Sequence, residues 1–463
     1  MPFDCSAVAR PLGHAGGGSQ GGLPTVSKNA IHSQSEKSSS VRILLADTDR
    51  RAYAPRLAMG FAALGCEVSI VCTDHHPVEN IRAPYHSFSY SALRPLASLL
   101  RAIESTAPEL IIPCDDRVVQ HLHQLCWEFR THGGQQQGVA SLIERSLGPP
   151  SSYPIVSARY PLLQLAKAEG IRVPSTCLLQ TPEDLSQWQT KQPFPWVLKA
   201  DGTWGGSGVR VVEAPQDAEA MFHILKSPCG LKRALKRALV NRDSFYLPDW
   251  WQACSRAVIA QAFIPGRPAN CAVACWEGEV LAQMGVEVLA TSEPTGPANV
   301  VRRVDNAEMV RAAERIASKL HLSGFFGLDF MIETGSGQTY LVEMNPRCTP
   351  LCHIQLGAGP DMIAALHARL AGRPFSPMPA TAARSEHEVI AYFPQAWNSN
   401  SESLKLSLQD FPLGEPELAQ ALLRPFPQGT LLYRIVDYLS RIPAATVVDE
   451  FGGEGGIRTP SAR

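Results

Sequence analysis

The sequence of 463 residues has almost no net charge, with 42 lysine and arginine residues against 43 aspartate and glutamate residues. Nucleic acid is therefore not expected as a partner, because its binding draws on a basic surface that releases counterions from phosphates. No apolar run is long enough to cross a bilayer, so no membrane contact is predicted. The start of the chain lacks the charged-then-apolar pattern of a secretory signal, and no such signal is expected.

Twelve cysteines are scattered through segments with the composition of buried strands and helices. Two pairs, Cys271 with Cys275 and Cys348 with Cys352, come nearest to a zinc signature, but their spacing fits one poorly. Buried, reduced thiols are the favoured interpretation. The cysteine usage therefore predicts a cytoplasmic protein.

The chain is too long for one core and is expected to form several domains. Residues 1–40 and 451–463 are glycine-rich and polar, which predicts disorder at both ends. Between residues 41 and 148, short apolar strands alternate with helices, which indicates a doubly wound parallel sheet. The glycine fingerprint of dinucleotide binding is missing after its first strand, where Ala46-Asp-Thr-Asp-Arg50 stands, so NAD is not an expected ligand.

A second domain is predicted over residues 150–375, followed by an α/β segment of unknown role over 376–450. In the second domain, a short apolar strand ends in Lys199 and leads directly into the glycine-rich segment 202–208. Glycines at this density let backbone N–H groups approach phosphate oxygens, and the lysine adds a positive charge. The lysine precedes the glycines, unlike in the Walker loop. Taken alone, the segment fits a phosphate-binding loop and a plain hairpin turn equally well.

The segment Gly324–Arg347 carries the clearest chemical signal in the chain. Two runs of aromatic and β-branched residues flank a polar turn around Ser336, which predicts a β-hairpin. Folded about that turn, Asp329 falls opposite Glu343, with both side chains on one face of the sheet. Two carboxylates in this position repel each other unless a cation lies between them.

Strand alternation predicts that Asn345 and Arg347 share the face of Asp329 and Glu343. Asp, Glu and Asn supply the oxygen ligands that Mg²⁺ accepts, and Mg²⁺ commonly completes its octahedron with nucleotide phosphates. An arginine nearby could hold a transferring phosphoryl group. The alternative is a surface hairpin with solvated acids. The metal site is favoured over it because the residues around Asp329 are apolar, namely Phe326, Leu328 and Phe330.

The order of these motifs resembles the ATP-grasp superfamily. The lysine-ended strand and glycine loop come first, then a QxFIPG-like strand at 261–266, then the Asp329 hairpin closing on Glu343-Met-Asn-Pro-Arg347. The resemblance covers about residues 150–375, and residues 41–148 resemble the family's amino-terminal domain. It implies an α/β and α+β protein, with a Rossmann-like pre-ATP-grasp domain followed by two α+β subdomains that clasp ATP. Domains of the biotin carboxylase and carbamoyl-phosphate synthase type share this pattern.

The resemblance also implies roles for individual residues. Lys199 would contact the nucleotide phosphates and act in catalysis, and Arg347 would face the transferred γ-phosphoryl group. A mobile flap over the phosphates would be formed by Gly205, Gly206, Ser207 and Gly208. The adenine slot would be lined by Gln261, Phe263 and Ile264. One or two Mg²⁺ ions, with Mn²⁺ as an alternative, would be held by Asp329, Glu343 and Asn345.

Three positions depart from the pattern of many family members. Arg159 stands where a lysine that contacts phosphate is common, so the charge is kept but its geometry changes. Ala262 stands where an acid is frequent, and Asp329 replaces a glutamate, whose longer side chain would place the metal farther from the strand. Just beyond the hairpin, Thr349 and His353 are within reach of a substrate, although His353 fits a structural role equally well.

The resemblance implies an ATP- and Mg²⁺-dependent ligase that activates a small carboxylate as an acyl phosphate for attack by an amine or another nucleophile. Two alternatives stay open. One is an ATP-binding regulatory protein without turnover, and the other is a carboxylase component that uses bicarbonate. The carboxylase would need a separate carrier, because no biotin-acceptor motif is evident after residue 375. A homodimer is compatible with each of these functions.

Overall fold

A computed structural model describes residues 40–132, 136–202, 208–227, 256–291, 296–355, 361–375, 388–397 and 408–423. The predicted disordered ends, apart from Ser40, lie outside these residues, as do Gly205, Gly206 and Ser207 of the predicted flap. The described strands form three sheets.

The first sheet is parallel, and its strands are ordered β3-β2-β1-β4. These strands are β1 (Arg42–Asp47), β2 (Glu67–Cys72), β3 (His86–Ser89) and β4 (Leu110–Pro113). The helices that cover them are α1 (Tyr53–Ala63), α2 (Pro95–Thr106), α3 (Asp116–His132) and α4 (Gln137–Leu147). β1 and β4 are almost wholly buried, as expected of strands covered on both faces. The predicted parallel α/β domain is confirmed.

In this sheet β1 lies between β2 and β4. The chain continues from β1 to β2 on one side and later adds β4 on the other side of β1. In such open sheets a ligand usually binds beyond the carboxyl ends of the strands where the strand order reverses, here between β1 and β4. β1 ends at Asp47, and β4 is followed by Asp115, which accepts a 2.9 Å hydrogen bond from the backbone N–H of Val118 and so caps α3. This edge faces the functional site described below.

The second sheet is antiparallel with the order β5-β8-β6-β7. Its strands are β5 (Thr176–Leu179), β6 (Trp196–Ala200), β7 (Val209–Val212) and β8 (Val258–Ala262). Four helices accompany it, namely α5 (Tyr153–Val156), α6 (Arg159–Ala168), α7 (Pro182–Lys191) and α8 (Pro215–Lys226). Trp196, Leu198 and Ala200 pack in one core cluster with residues of α7 and α8. Strand alternation therefore directs Val197 and Lys199 to the opposite face of this sheet.

The third sheet has seven strands in the order β13-β12-β9-β10-β11-β14-β15. They are β9 (Gly266–Trp276), β10 (Glu279–Thr291), β11 (Ala298–Arg303), β12 (Gly324–Glu333), β13 (Thr339–Asn345), β14 (Val389–Tyr392) and β15 (Leu408–Asp410). The helices between and after these strands are α9 (Ala307–Leu320), α10 (Met362–Leu370) and α11 (Pro416–Leu423). At the start of β9, a Cβ on Gly266 would lie 2.2 Å from the carbonyl oxygen of Ile332, so this position requires glycine.

The apolar spacing of helix α9 predicts a buried stripe of Val310, Ala313, Ile316, Ala317 and Leu320. The structure differs from this prediction at one position. The structure buries Met309 and Ala312 with the last four of these residues, whereas Val310 is 36 % exposed. Positions 309 and 312 continue the spacing of 313, 316, 317 and 320, whereas position 310 lies toward the outer side of the helix.

The segment after residue 388 is integrated into the large sheet. β14 pairs antiparallel with β11, and β15 pairs parallel with β14. At the end of β15, Asp410 forms an ion pair with Arg56 of α1 and a 3.0 Å hydrogen bond with His353. The carboxy-terminal strands therefore join the large sheet to the first helix of the parallel domain. None of the helices in the described part of the chain is long and apolar enough to cross a membrane.

Candidate active site

The predicted pairing of Asp329 with Glu343 across the β12–β13 hairpin is confirmed. Near the turn, however, the register is shifted by one residue, since Phe330 pairs with Leu341 and Ile332 with Thr339. A bulge at Val342 restores the expected pairing. Without it, Asp329 would lie opposite Val342. The carbonyl oxygen of the bulged residue accepts a 3.4 Å hydrogen bond from Nζ of Lys199, which joins the hairpin to the small sheet.

Asp329 lies between two asparagine amides. Asn270, its neighbour on β9, donates a hydrogen bond of 2.6 Å to Oδ1, and Asn345 donates one of 3.1 Å to Oδ2. Burial raises the pKa of Asp329, and the negative charge of Glu343 raises it further, to about 6. The two carboxylates therefore disfavour each other's charge where they meet, as expected of a site built for a cation.

Two cationic side chains, Arg159 and Lys199, lie near the Asp329 and Glu343 carboxylates. Arg159, the first residue of α6, donates a 2.6 Å hydrogen bond from Nη2 to Glu343. Its Nη1 donates to the carbonyl oxygen of Ala200 at 2.7 Å and to Asp201 at 3.2 Å. Lys199 is only 7 % exposed, and its burial lowers the pKa of its ammonium group to about 8, against the opposing effect of Glu343. Two positive groups thus stand at the end of β6, where the predicted phosphate-binding loop begins.

Arg347 connects the hairpin with the parallel domain. Its Nε donates to Asp116 at the start of α3 over 2.8 Å, and its Nη1 donates to the Tyr53 hydroxyl over 3.4 Å. Nη2 donates to Oδ1 of Asn345 over 3.0 Å. Asn345 therefore bridges Arg347 and Asp329, with its amide oxygen toward Arg347 and its amide nitrogen toward Asp329.

These groups line one cavity of about 560 Å³. Its walls come from the small sheet, the hairpin, the carboxyl edge of the parallel sheet and the carboxy-terminal segment. The predicted site residues that line it are Arg159, Lys199, Asp329, Glu343, Asn345 and Arg347. Thr349 lines it as well, whereas His353 is held in the buried cluster with Arg56 and Asp410 and is not part of the wall.

The three predicted adenine-slot residues do not line this cavity. Gln261 pairs with Val197 on β6 and is on the same sheet face as Lys199. Beyond β8, Phe263 is 38 % exposed and its backbone N–H donates to the carbonyl oxygen of Pro195 over 3.3 Å. Ile264 follows it and is half-buried. Gly208 is buried at the start of β7, where its carbonyl oxygen accepts from the Ala200 N–H.

The donor set at the hairpin fits a hard divalent cation such as Mg²⁺. Asp329 and Glu343 offer carboxylate oxygens on one face, and their mutual repulsion would be relieved by a cation. The described residues hold no cluster of three or more His, Cys, Asp or Glu side chains suited to a metal ion. A metal here would therefore depend on other oxygen ligands, as Mg²⁺ does when it binds nucleotide phosphates. Cys271 and Cys275 lie in the apolar core beside α9.

Several residues of the cavity wall were not identified from the sequence. They are Arg51, Tyr53 and Asp116 from the parallel domain, Asn270 from β9, and Tyr392 and Gln395 from the carboxy-terminal segment. The first three lie just after β1 and β4, so the rule that ligands bind at the carboxyl edge where the strand order reverses could have located them. For Tyr392 and Gln395 the sequence offers no local signal.

This arrangement of sheets defines the class of protein. The fold is that of the ATP-grasp enzymes, with a parallel-sheet domain before two α+β units. It matches solved structures of low identity, among them a biotin carboxylase from Campylobacter jejuni, with a TM-score of 0.53, 16% identity, and coverage of 73% of this chain and 72% of that one. A carboxyaminoimidazole ribonucleotide synthase from Aspergillus clavatus matches with a TM-score of 0.52, 14% identity, and coverage of 73% and 78%.

A family model also matches part of the sequence. Residues 159–350 match the family model described as the ATP-grasp domain, and this chain therefore carries an ATP-grasp domain. The predicted ATP-grasp domain is confirmed over these residues. No curated protein matches the sequence.

Proposed function

We propose that the protein is an ATP- and Mg²⁺-dependent ligase that activates a small carboxylate as an acyl phosphate for attack by an amine or a related nucleophile. The observation that carries this proposal is the meeting of Lys199, the Asp329–Glu343 pair and Arg347 around one cavity of an ATP-grasp domain. These groups supply positive charge for phosphates and oxygen ligands for a cation. Phosphoryl transfer requires mainly such positioning and electrostatic stabilisation.

The small sheet would bind the nucleotide. Lys199 and Arg159 stand where they can contact its phosphates, and Arg159 would exchange Glu343 for a phosphate oxygen when ATP enters. The sheet face that carries Lys199 continues over Val197 to Gln261. Val211, which pairs with Val197, is 45 % exposed, so this face offers an apolar surface for the adenine ring.

The hairpin would hold the metal through Asp329 and Glu343, with Asn345 joining them after its amide turns away from Arg347. When bound there, Mg²⁺ neutralises charge on the phosphate oxygens and orients the γ-phosphoryl group. Asn270 keeps the Asp329 carboxylate in place through its hydrogen bond.

Arg347 would act on the group that is transferred. In the proposed reaction a carboxylate oxygen attacks the γ-phosphorus, and ADP leaves with the electrons of the broken P–O bond. The nucleophile then attacks the acyl carbon, phosphate departs, and the attacking nitrogen loses a proton. Arg347 lies between the hairpin and Asp116, where it can stabilise charge on the phosphoryl group. The chemistry needs no His, Ser or Cys nucleophile.

The test is ADP release from Mg-ATP with pools of organic acids and amines, followed by mass spectrometry of the products. A ligase releases ADP only when an acid is present, and a carboxylase releases it with bicarbonate. Tight ATP binding without ADP release under any pool would instead indicate a regulatory protein. The control is Arg347→Lys, which keeps the charge but loses the fork geometry. We expect it to bind Mg-ATP within a few-fold of the parent and to lose most turnover.

A further inference from the structure

The loop after β1 carries an arginine into the cavity from the parallel domain. Arg51 lines the cavity wall, and its Nη2 pairs with Asp49 over 2.6 Å. Its Nε is shielded from solvent and finds no hydrogen-bond partner among the described residues. A guanidinium has five N–H donors, and a shielded donor without a partner costs free energy. Arg51 is thus a cation whose hydrogen-bonding capacity is only partly used within the described protein.

The loop that carries Arg51 donates hydrogen bonds to two buried carboxylates. Asp47 accepts the backbone N–H of Asp49 over 2.9 Å and that of Arg51 over 2.7 Å. Asp115 accepts both the backbone N–H and the hydroxyl of Thr48. Because most of the backbone from 48 to 51 is tied to these acids, the position of Arg51 is organised before any ligand arrives.

Arg347 differs from Arg51 in this respect. Its guanidinium already donates to Asp116, Tyr53, Asn345 and the carbonyl oxygen of Cys348. It stands next to the carboxylate pair, where the γ-phosphoryl group would lie in the proposed reaction. Arg51 approaches the same cavity from the carboxyl edge of the parallel sheet.

We infer that Arg51 binds a second anionic group of the acid substrate, so that the substrate is a small acid carrying a carboxylate or phosphate besides the carboxylate that is activated. This inference rests on the proposed function. Arg51 would pair with the second anion through its free donors, and the activated carboxylate would lie near Arg347.

The test is calorimetric titration of acids into the full-length protein saturated with Mg-ADP. The probes are succinate against butyrate, which share a four-carbon chain, and phosphoglycolate against glycolate. We expect at least one doubly anionic acid to bind about tenfold or more tightly than its partner with one charged group. In Arg51→Gln this preference should disappear, and in Arg51→Lys, which keeps the charge without the fork, part of it should remain.

Arg101→Gln is the matched control, since this arginine is exposed on α2 of the same domain and does not line the cavity. Mg-ATP affinity and melting temperature are measured for every variant, so that a failure to fold is separated from a loss of acid binding. If the parent fails to bind Mg-ATP, the proposed function fails. If the parent binds Mg-ATP but no acid of the panel, or binds both acids of each pair equally well, or if Arg51→Gln keeps the preference, the inference about Arg51 is overturned.

Discussion

Two pairs of acids stand in the two halves of this molecule, and their surroundings differ. In the parallel domain, Asp47 and Asp115 end neighbouring strands; in the hairpin, Asp329 faces Glu343. Burial and a neighbouring acid raise the pKa of one carboxyl in each pair, Asp115 to about 7 and Asp329 to about 6. In both halves, therefore, burial and a second carboxylate disfavour the charge of an acid.

The two acid pairs differ in the groups that donate hydrogen bonds to them. Asp47 and Asp115 accept hydrogen bonds from backbone N–H groups, and Asp47 also pairs with the buried His76 over 2.9 Å. Val78 donates its backbone N–H to Nδ1 of His76, so the ring proton that Asp47 accepts is on Nε2. Asp329 and Glu343 instead contact side chains that can move, namely Asn270, Asn345 and Arg159.

Backbone donors cannot leave without local unfolding, whereas an asparagine or arginine can exchange its partner for a ligand. The first acid pair therefore serves as scaffold, and the second is suited to bind a metal and phosphates. The comparison shows that burial and charge do not by themselves mark a metal site. The mobility of the partners and their access to a cavity make the difference.

The largest effect is expected from neutralising the hairpin pair. Asp329→Asn with Glu343→Gln should remove Mg²⁺-dependent ATP binding and reduce turnover by about 10³-fold. Without metal, the same double variant should be as stable as the parent or slightly more so, because the repulsion is gone. Calorimetric titration of Mg-ATP and thermal unfolding in chelator measure the two quantities. Unchanged Mg-ATP affinity would remove the basis for the metal site.

Removing His76 should lower the stability of the fold and spare Mg-ATP binding. His76→Ala deletes a fully buried partner of Asp47 and is expected to lower the free energy of unfolding by about 3 kcal/mol. Mg-ATP affinity should stay within twofold. Urea unfolding and ATP titration test both statements, with His86→Ala on an exposed position of β3 as the control. A loss of ATP affinity without a loss of stability would contradict the scaffold role.

Lys199 is a buried cation beside the acid pair of the hairpin. Lys199→Ala should weaken ATP binding by roughly 1.5–3 kcal/mol, the contribution of a charge-assisted hydrogen bond to phosphate. Lys199→Arg, which keeps the charge, should lose less. Nucleotide titration of both folded variants gives the result, and equal ATP affinity in the alanine variant and the parent would contradict the phosphate contact.

The smallest effect concerns pH. Since the pKa of Asp115 is raised to about 7 by burial and by Asp47, the folded protein holds a proton there that the unfolded chain releases near pH 4. The contribution to stability is full below about pH 4 and is lost as pH rises toward 7. Asp115→Asn should flatten this dependence by roughly 1 kcal/mol between pH 6 and 7. Chemical unfolding at several pH values measures the slope, and an identical slope in both proteins would exclude Asp115 as its source.

The hairpin shows how far local pattern reasoning reaches. The runs around Ser336 predicted both strands and the pairing of Asp329 with Glu343, and both are observed. The bulge at Val342, which makes that pairing possible with the actual turn, was not predicted. The bulge depends on contacts with other strands, including the hydrogen bond from Lys199 to the carbonyl oxygen of Val342. Those contacts have no signature in the hairpin's own residues.

By itself, the sequence determined the local elements and the chemical character of the site. Alternation of apolar residues specified the strands, and the carboxylates, lysine and glycines predicted a site for a cation and phosphates. Only the tertiary structure decided which distant groups meet there. Arg159 reaches Glu343 across 184 positions, and Arg347 reaches Asp116 across 231. The tertiary structure also places Tyr392 and Gln395 in the cavity wall, because β14 joins the large sheet. Periodicity records only which face of an element is apolar, whereas the partner of that face is set by packing of the whole chain.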